Sequence, residues 1–275
     1  WVDSCSEIEL QTSGSTGAPK TVLMSKQAMV NSAIATGDYF KLKPGNSALS
    51  CLPFEYIAAK MMFVRAYVLG LELDCINPSS NPLETLTKRY DFCAMVPLQV
   101  ENSTDALYHI KTLIVGGAKL SNDLKSKLTK LQTTVYETFG MTETVSHIAV
   151  KEICELPSLF EALPSVYFAI DDRNCLTIHA PHIGSTPIQT NDVVKLSSNT
   201  TFEWLGRYDT IINSGGIKIS PEQLEQKLER FIKERFFITS QQDNSLGEII
   251  VIVIEGSKSN DTINFNNLDP IQRPK

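Results

Sequence analysis

Apolar residues recur at helical spacing in several segments of the first half of the chain, and shorter apolar runs separate these segments. The predicted helices cover residues 25–37, 57–69, 83–90 and 121–131. The predicted strands cover residues 47–52, 71–76, 92–96, 110–115 and 133–138. Strands that alternate with helices in this way indicate βαβ units and a largely parallel sheet.

Two loops come directly after predicted strands, where a parallel sheet places its ligands. Residues 116–118 (Gly-Gly-Ala) would let a flat ligand lie close to the backbone. Residues 139–144 combine an aromatic ring, a glycine, a hydroxyl and a carboxylate. Phe139 suits stacking on adenine, Thr142 suits a phosphate, and Glu143 suits Mg²⁺, which prefers oxygen ligands. An ordinary turn is the alternative interpretation of each loop.

After Cys154 the pattern changes to short apolar runs between turn residues, which is typical of antiparallel β structure. These runs cover residues 166–170, 176–179, 193–196 and 201–205. Beyond a junction at residues 206–209, we predict a strand, a tight turn at residues 214–216, a helix that begins after Ser220, and an apolar strand at residues 248–255. This tail predicts a small α+β domain.

A loop rich in glycine and hydroxyl groups joins a predicted strand at residues 7–11 to another at residues 21–24. Its members are Thr12, Ser13, Gly14, Ser15, Thr16, Gly17 and Lys20. Successive backbone N–H groups in such a loop form an anion-binding concavity, which predicts a phosphate-binding loop for ATP. A flexible polar turn is the alternative. Pro19 stands where a Walker A loop needs glycine, which disfavours a P-loop NTPase.

The composition limits the partners that the chain is expected to bind. Its 275 residues carry a formal net charge of −6, which argues against a general nucleic-acid-binding or anionic membrane surface. No apolar run approaches the roughly 18 residues of a membrane span. The six cysteines are scattered without metal-ligand spacing, which favours reduced thiols in a cytoplasmic protein.

Other charged residues allow a functional and a structural interpretation. Asp192 could accept hydrogen bonds from ribose hydroxyls or belong to a β-turn, and Arg207 and Asp209 could form a surface ion pair. Lys60 and Arg65 lie in the predicted helix 57–69, where a solvated helix face is the simpler interpretation. A lysine directed into a pocket would instead suit an acidic substrate.

The order of these motifs is more specific than any one of them. The segments 12–20, 116–118, 136–143, Asp192, 206–209 and 213–222 resemble, in sequence and order, the adenylate-forming superfamily of acyl-CoA synthetases, peptide-synthetase adenylation domains and firefly luciferase. Within it, residues 140–147 and 212–223 are most similar to bacterial 2-succinylbenzoate–CoA ligases of menaquinone biosynthesis. The resemblance spans nearly the whole chain.

The resemblance implies an α/β fold in two domains. The large adenylate-forming domain, with layered α/β/α sheets and an antiparallel β region, would cover residues 1–206, and a small mobile α+β domain would cover residues 207–275. We expect the sequence to lack part of the large domain at its start and to stop before the family's terminal lysine motif. Lys275 does not match that motif and receives no role.

The resemblance also implies a two-step reaction with ATP, Mg²⁺ and coenzyme A as co-substrates. A carboxylate attacks the α-phosphorus of ATP, and the thiol of coenzyme A then displaces AMP. The implied catalytic residues are Lys20, Thr142, Glu143 as the Mg²⁺ ligand, and Asp209 as the hinge of the small domain. The implied contacts with the nucleotide and coenzyme A are Thr12, Ser13, Ser15, Thr16 and Lys20 for the β- and γ-phosphates, Gly116, Gly117, Ala118 and Phe139 for adenine, Thr142 for the α-phosphate, Asp192 and Arg207 for ribose, and Ser214, Gly215 and Gly216 for pantetheine. Gly14, Gly17, Gly140 and Met141 are implied as further nucleotide contacts.

The predicted acyl pocket departs from many relatives, because Tyr56 stands where they have a histidine. Its predicted members are Tyr56, Lys60, Ser146 and His147, with Lys60 available for a dicarboxylate. The acid is predicted to be 2-succinylbenzoate. The alternatives are another aryl- or fatty-acyl-CoA ligase, a carrier-loading adenylation domain or, in a different class, a non-catalytic nucleotide-binding module. We expect no nucleic-acid partner and no membrane span, and a homodimer is left open.

Overall fold

The computed structural model describes residues 4–11, 21–154, 158–232, 234–256, 265 and 268–274. The helices are α1 (Lys26–Phe40), α2 (Ile57–Leu69), α3 (Pro97–Asn102), α4 (Asn122–Leu128) and α5 (Pro221–Leu228). The first nine strands are β1 (Glu7–Gln11), β2 (Thr21–Ser25), β3 (Ser47–Ser50), β4 (Glu72–Cys75), β5 (Tyr90–Met95), β6 (Ile110–Val115), β7 (Thr134–Gly140), β8 (His147–Glu152) and β9 (Phe160–Ala162). They are followed by β10 (Tyr167–Ile170), β11 (Cys175–His179), β12 (Ile188–Ser198), β13 (Thr201–Arg207), β14 (Ile212–Ser214), β15 (Ile217–Ile219), β16 (Phe236–Asp243) and β17 (Gly247–Ile254).

The chain divides into two compact units. Unit 1 comprises Trp1–Phe168, Ile178–Ile188 and Ser198–Phe202. Unit 2 comprises Ala169–Thr177, Gln189–Ser197 and Glu203–Lys275. The domain boundary predicted at residues 206 and 207 stays a prediction.

A parallel sheet forms the centre of unit 1. Its strands lie in the order β4-β3-β5-β6-β7, and each neighbouring pair is parallel. Strands β8 and β9 extend this sheet in antiparallel fashion beyond β7. The prediction of a largely parallel sheet followed by antiparallel structure is therefore confirmed for these strands.

Alternate residues of the central strands pack into two hydrophobic cores, one on each face of the sheet. On one face Leu49 and Cys93 pack in a cluster with Leu124 of α4 and Val100 of α3. On the other face the neighbouring positions Ala48, Phe92, Ala94 and Ile114 pack with Ala59 and Met62 of α2. Because both faces are covered, these strands read in the sequence as continuous apolar runs.

Three of the predicted helix ends are found in the structure and have clear physical causes. Ser25 caps α1 by accepting a hydrogen bond from the Ala28 amide, and Ser121 does the same for α4 with Leu124. Helix α2 ends at Gly70, which adopts a left-handed φ of 68°. No helix among the residues that the structure describes is long and apolar enough to cross a membrane.

The helix predicted at residues 83–90 is wrong. The segment forms turns, with the Leu86 amide bonded to the Leu83 carbonyl at 3.1 Å, and Tyr90 already belongs to β5. Before Tyr90, the described core cluster includes only Leu83 and Leu86 from this segment, which is too few apolar positions to hold a helix against the sheet. The short helix α3 was not predicted, although Pro97 at its first position is a signal for it.

In unit 2, an antiparallel sheet with strand order β15-β14-β17-β16 packs against α5. Gly215 and Gly216 connect β14 to β15 with φ values of 58° and 84°, as a two-residue hairpin requires. Ser220 caps α5 and Pro221 is its first residue, as predicted. Strands β10 to β13 lie side by side in that order.

Candidate functional site

A cavity of about 340 Å³ lies in unit 1 at the carboxyl ends of the parallel strands. Ala94 and Met95 come from the end of β5, Gly116 follows β6, and Thr138 lies near the end of β7. Helix α2 forms another wall through Ile57, Ala58, Met61 and Arg65. The predicted location of the ligand site, beyond the carboxyl ends of the strands, agrees with this cavity.

The loop after β6 comes close to β7 because it lacks side chains. A Cβ atom on Gly116 would lie 2.6 Å from Thr138 Oγ1. The Thr138 hydroxyl donates a hydrogen bond of 3.1 Å to the Val115 carbonyl, which ties the two strand ends together. Gly117 follows with a left-handed φ of 90° that a side chain would rarely adopt.

The segment after β7 folds back over the cavity as a tight turn. Its 3₁₀ turn, Thr142–Thr144, is closed by the Thr144 hydroxyl, which accepts from the Met141 amide at 2.8 Å. Gly140 lies so close to this segment that a Cβ atom there would contact the Ser146 carbonyl oxygen. The turn places Thr142, Ser146 and His147 on the cavity wall.

Arg65 is a buried cation in this cavity, with only 2% of its surface exposed. Its Nη2 donates to Ser146 Oγ at 2.6 Å, and its Nε donates to Thr36 Oγ1 at 3.3 Å. No carboxylate in the described part of the chain forms an ion pair with it. Burial lowers the pKa of Arg65 to about 10, so the guanidinium stays charged at neutral pH.

Arg65 also fixes the hydrogen-bonding state of His147. Its Nη2 lies 3.4 Å from His147 Nδ1, and because arginine only donates, Nδ1 acts as the acceptor. Burial, and then the charge of Arg65, hold the pKa of His147 well below its ordinary value. The neutral ring therefore carries its proton on Nε2, which is buried and has no hydrogen-bond partner among the described residues.

Unit 2 holds a separate set of charged side chains. Asp192 is buried and accepts a hydrogen bond of 2.9 Å from Trp204 Nε1. Arg207 makes a two-point ion pair with Asp209, at 2.9 and 2.8 Å, and its Nη1 lies 3.9 Å from Asp192. Burial raises the pKa of Asp192, whereas the Arg207 hydrogen bond lowers the pKa of Asp209.

Comparison with known proteins identifies the family. Residues 10–177 match the AMP-binding enzyme family. The chain belongs to that family. An acyl-CoA synthetase (AMP-forming)/AMP-acid ligase II-like protein from Dyadobacter fermentans is 38% identical, with a TM-score of 0.71 over 94% of this chain and 77% of that one. The predicted adenylate-forming α/β fold is confirmed by this match.

Two further matches of this AMP-binding chain have lower identity. The 2-succinylbenzoate–CoA ligase of Haemophilus influenzae is 23% identical over 89% of this chain and 58% of its own length. The O-succinylbenzoate CoA synthetase MenE of Bacillus subtilis, solved with its acyl-adenylate OSB-AMP, has a TM-score of 0.76 at 18% identity over 91% of this chain and 60% of that one, which supports the fold. The chain spans about three fifths of the length of the first curated relatives that it matches.

Many residues predicted to bind the nucleotide of an AMP-binding enzyme line the cavity. They are Gly116, Gly117, Gly140, Met141 and Thr142, together with Ser146 and His147 of the predicted acyl pocket. Ala118 and Glu143 lie next to lining residues, and both are exposed. The structure therefore brings two distant predicted loops together around one space.

Other residues that were predicted for the site do not line the cavity. The Phe139 ring packs edge-on against Phe160 and Phe202, with centroids 5.8 and 5.2 Å away, and its adenine contact stays a prediction. Tyr56 is 58% exposed, and Lys60 Nζ donates to the Glu55 carbonyl at 3.3 Å. Neither is part of the cavity wall, where the cation is Arg65.

Two groups of predictions remain as they were made. The phosphate-binding loop, with Thr12, Ser13, Gly14, Ser15, Thr16, Gly17 and Lys20, lies outside the described residues. Ser214, Gly215 and Gly216 form the β14–β15 hairpin, and their contact with pantetheine is a prediction.

Proposed function

We propose that this protein is an ATP-dependent carboxylate–CoA ligase whose acid carries a second carboxylate, with 2-succinylbenzoate as the substrate. The observation that carries the proposal is Arg65, a buried guanidinium on the cavity wall with hydroxyl partners and no paired carboxylate in the described chain. A buried cation without an anion is costly, and a bound carboxylate would remove that cost. The names of the curated relatives support the choice of acid.

In the proposed reaction the two carboxylates of the acid have different roles, because one reacts with ATP and the other is bound by Arg65. One carboxylate attacks the α-phosphorus of ATP, which forms an acyl-adenylate and releases pyrophosphate. The thiolate of coenzyme A then attacks the acyl carbon, and AMP leaves with the bonding electron pair. Arg65 holds the other carboxylate throughout, so its contribution is to orient the acid for the first attack.

The acid would be bound by three residues with different roles, which are Arg65, Ser146 and His147. Arg65 supplies charge-assisted hydrogen bonds to the carboxylate. Ser146 and His147 hold the guanidinium in place. The Nε2–H of His147, which has no partner among the described residues, offers one further donor to the acid. Met61, Met95 and Ile114 add apolar wall area that would pack against an aryl ring.

The residues for the nucleotide are those predicted from the sequence. Gly116 and Gly117 leave room for a flat base against the backbone, and Thr142 can donate to the α-phosphate from the cavity wall. Glu143 fits a Mg²⁺ site because the ion usually takes one or two protein carboxylates besides phosphate oxygens and water. The ion would supply charge stabilisation on the phosphates. Asp192 and Arg207 are proposed for the ribose, Asp209 for the hinge, and Lys20 with its loop for the β- and γ-phosphates.

A pyrophosphate-release assay on the purified protein tests the activity. With ATP, Mg²⁺ and coenzyme A, we expect release with 2-succinylbenzoate at a kcat/KM at least 100-fold above that with benzoate or a medium-chain fatty acid. Release with benzoate or the fatty acid alone would overturn the choice of acid.

The same assay separates the enzyme from a non-catalytic nucleotide-binding module. AMP binding measured by calorimetry, without pyrophosphate release for any of the three acids, would overturn the ligase. Formation of an acyl-adenylate that coenzyme A cannot convert to a thioester would favour a carrier-loading adenylation domain instead.

A further inference from the structure

Glu137 is a buried carboxylate that the proposed reaction does not use. It lies on β7 next to Thr138, so the two side chains point to opposite faces of the sheet. Thr138 faces the cavity, and Glu137, only 6% exposed, faces away from it. A buried carboxylate needs compensation by charge or hydrogen bonds, and the identity of its partners indicates what it does.

One oxygen of Glu137 binds the segment that follows the glycine loop. Its Oε1 accepts a hydrogen bond of 3.3 Å from the Leu120 amide and forms a salt bridge of 3.0 Å with Lys125 of α4. Leu120 comes two residues after the predicted adenine-binding loop 116–118. This oxygen therefore fixes the exit of that loop against β7.

The other oxygen leads to the aromatic cluster around Phe139. Glu137 Oε2 forms a salt bridge of 2.7 Å with Lys151 on β8. Lys151 Nζ lies 4.5 Å from the centre of the Phe160 ring, in a cation–π arrangement. The Phe160 ring in turn packs edge-on against Phe139.

The charges make this arrangement depend on Glu137. Burial alone would raise the pKa of Glu137, but Lys151 and Lys125 outweigh it and lower the pKa. Burial lowers the pKa of Lys125, and Lys151 adds to that effect. Without the carboxylate, Lys125 and Lys151 would repel each other on the face of β7 that points away from the cavity.

We infer that Glu137 is a positioning residue that holds both predicted walls of the adenine site, the loop 116–118 and Phe139, through Leu120, Lys125 and Lys151. The inference rests on the proposed function in one respect, which is that these walls bind the adenine of ATP. Glu137 itself does not touch the nucleotide. Its effect is on the affinity and selectivity for the base.

The decisive variant is Glu137→Gln, which keeps the size of the side chain and removes its charge. We expect the affinity for AMP, measured by calorimetry without any acid, to fall about 10-fold. We also expect the ratio of kcat/KM with ATP to kcat/KM with GTP to fall about 10-fold, whereas kcat at saturating ATP stays within about 2-fold. Glu137→Asp should restore part of the AMP affinity.

A control on a more exposed ion pair is Asp74→Asn. Asp74 also lies on a strand of the same sheet and binds a lysine and a tyrosine, Lys88 at 2.7 Å and Tyr90 at 2.9 Å, but it does not line the cavity. This variant should leave AMP affinity and base selectivity unchanged. A Glu137→Gln protein with a lower melting temperature but unchanged AMP affinity and selectivity would overturn the inference.

A second variant covers the case in which Glu137→Gln does not fold. Lys151→Met cuts the link to Phe160 and leaves Glu137 paired one-to-one with Lys125. We expect about a 3-fold loss of AMP affinity, and an unchanged affinity would contradict the proposed link. Because AMP binding is measured without an acid, this result is independent of whether the ligase activity itself is found.

Discussion

Arg65 in unit 1 and Arg207 in unit 2 carry the same side chain in opposite electrostatic situations. Arg65 is buried and bonds to hydroxyls, with its pKa lowered to about 10 by burial. Arg207 is 40% exposed in its side chain and forms a two-point pair with Asp209, which raises its pKa. The first guanidinium has lost water without gaining an anion from the residues that the structure describes, and the second has both water and an anion.

This difference separates an arginine prepared for an anionic ligand from one whose charge is already paired within the protein. An exposed, paired arginine adds little to stability because water competes for both partners. A buried, unpaired arginine lowers stability and is expected where an anion binds. The same substitution at the two positions should therefore have different consequences.

The largest effect is expected for Arg65→Met. Loss of a buried charge-assisted contact of about 3–4 kcal/mol should lower kcat/KM for 2-succinylbenzoate by roughly 100- to 1,000-fold. The value for benzoate, which has no second carboxylate, should change less than about 3-fold. The free energy of unfolding, measured with urea, should stay the same or rise, because an apolar residue replaces an uncompensated charge.

Lys60→Met is the control for that experiment, since Lys60 lies on the same helix but outside the cavity wall. It should leave the selectivity between the two acids unchanged. An equal loss for both acids in Arg65→Met would show that Arg65 supports the fold of the site and does not bind the second carboxylate.

The parallel sheet and the positions of the two cavity loops were predicted correctly from the sequence. Strand β6 and helix α2 have the predicted bounds, because their apolar runs end at Gly116 and at Gly70. A glycine at position 70 predicts a helix end because it adopts the left-handed φ seen there. Gly116 lies where the loop comes close to Thr138. Local residue chemistry sets these features, so a single sequence is enough to find them.

The cation of the cavity could not be predicted in the same way. Helix α2 packs on the sheet through Ala59 and Met62 and on a second cluster through Met61 and Val64. A helix that is buried on two sides shows no single apolar stripe, so the sequence cannot tell which of Lys60 and Arg65 points inwards. The choice depends on contacts with Thr36 and Ser146, which are distant in sequence.

An effect of intermediate size is expected for His147, which should make the free energy of unfolding depend on pH. His147 has a folded-state pKa well below its ordinary value of 6.5, because of burial and then of Arg65. Below pH 6.5 the unfolded chain therefore takes up a proton that the folded chain does not. Stability should fall with decreasing pH by up to about 1.4 kcal/mol per pH unit from this group alone, until the folded-state pKa is reached.

Urea unfolding of the wild type and His147→Asn at pH 7.5, 6.0 and 5.0 measures this contribution. The amide oxygen of asparagine can replace Nδ1 as the acceptor for Arg65, and it does not titrate. The variant should lose less stability between pH 7.5 and 5.0 than the wild type does. His182, whose pKa is also lowered by burial, contributes equally to both proteins. If the two proteins lose the same stability between pH 7.5 and 5.0, then His147 is protonated in the folded state, next to Arg65.

The smallest effect is expected for Arg207→Met. Its pair with Asp209 is largely exposed, so its loss should change the free energy of unfolding by less than about 1 kcal/mol. Arg173→Met is a matched control, because Arg173 is similarly exposed and pairs with Asp171 at 2.7 Å. The selectivity between 2-succinylbenzoate and benzoate should be the same in both variants as in the wild type. If Arg207→Met changed that selectivity as strongly as Arg65→Met, the electrostatic contrast between the two arginines would not explain their roles.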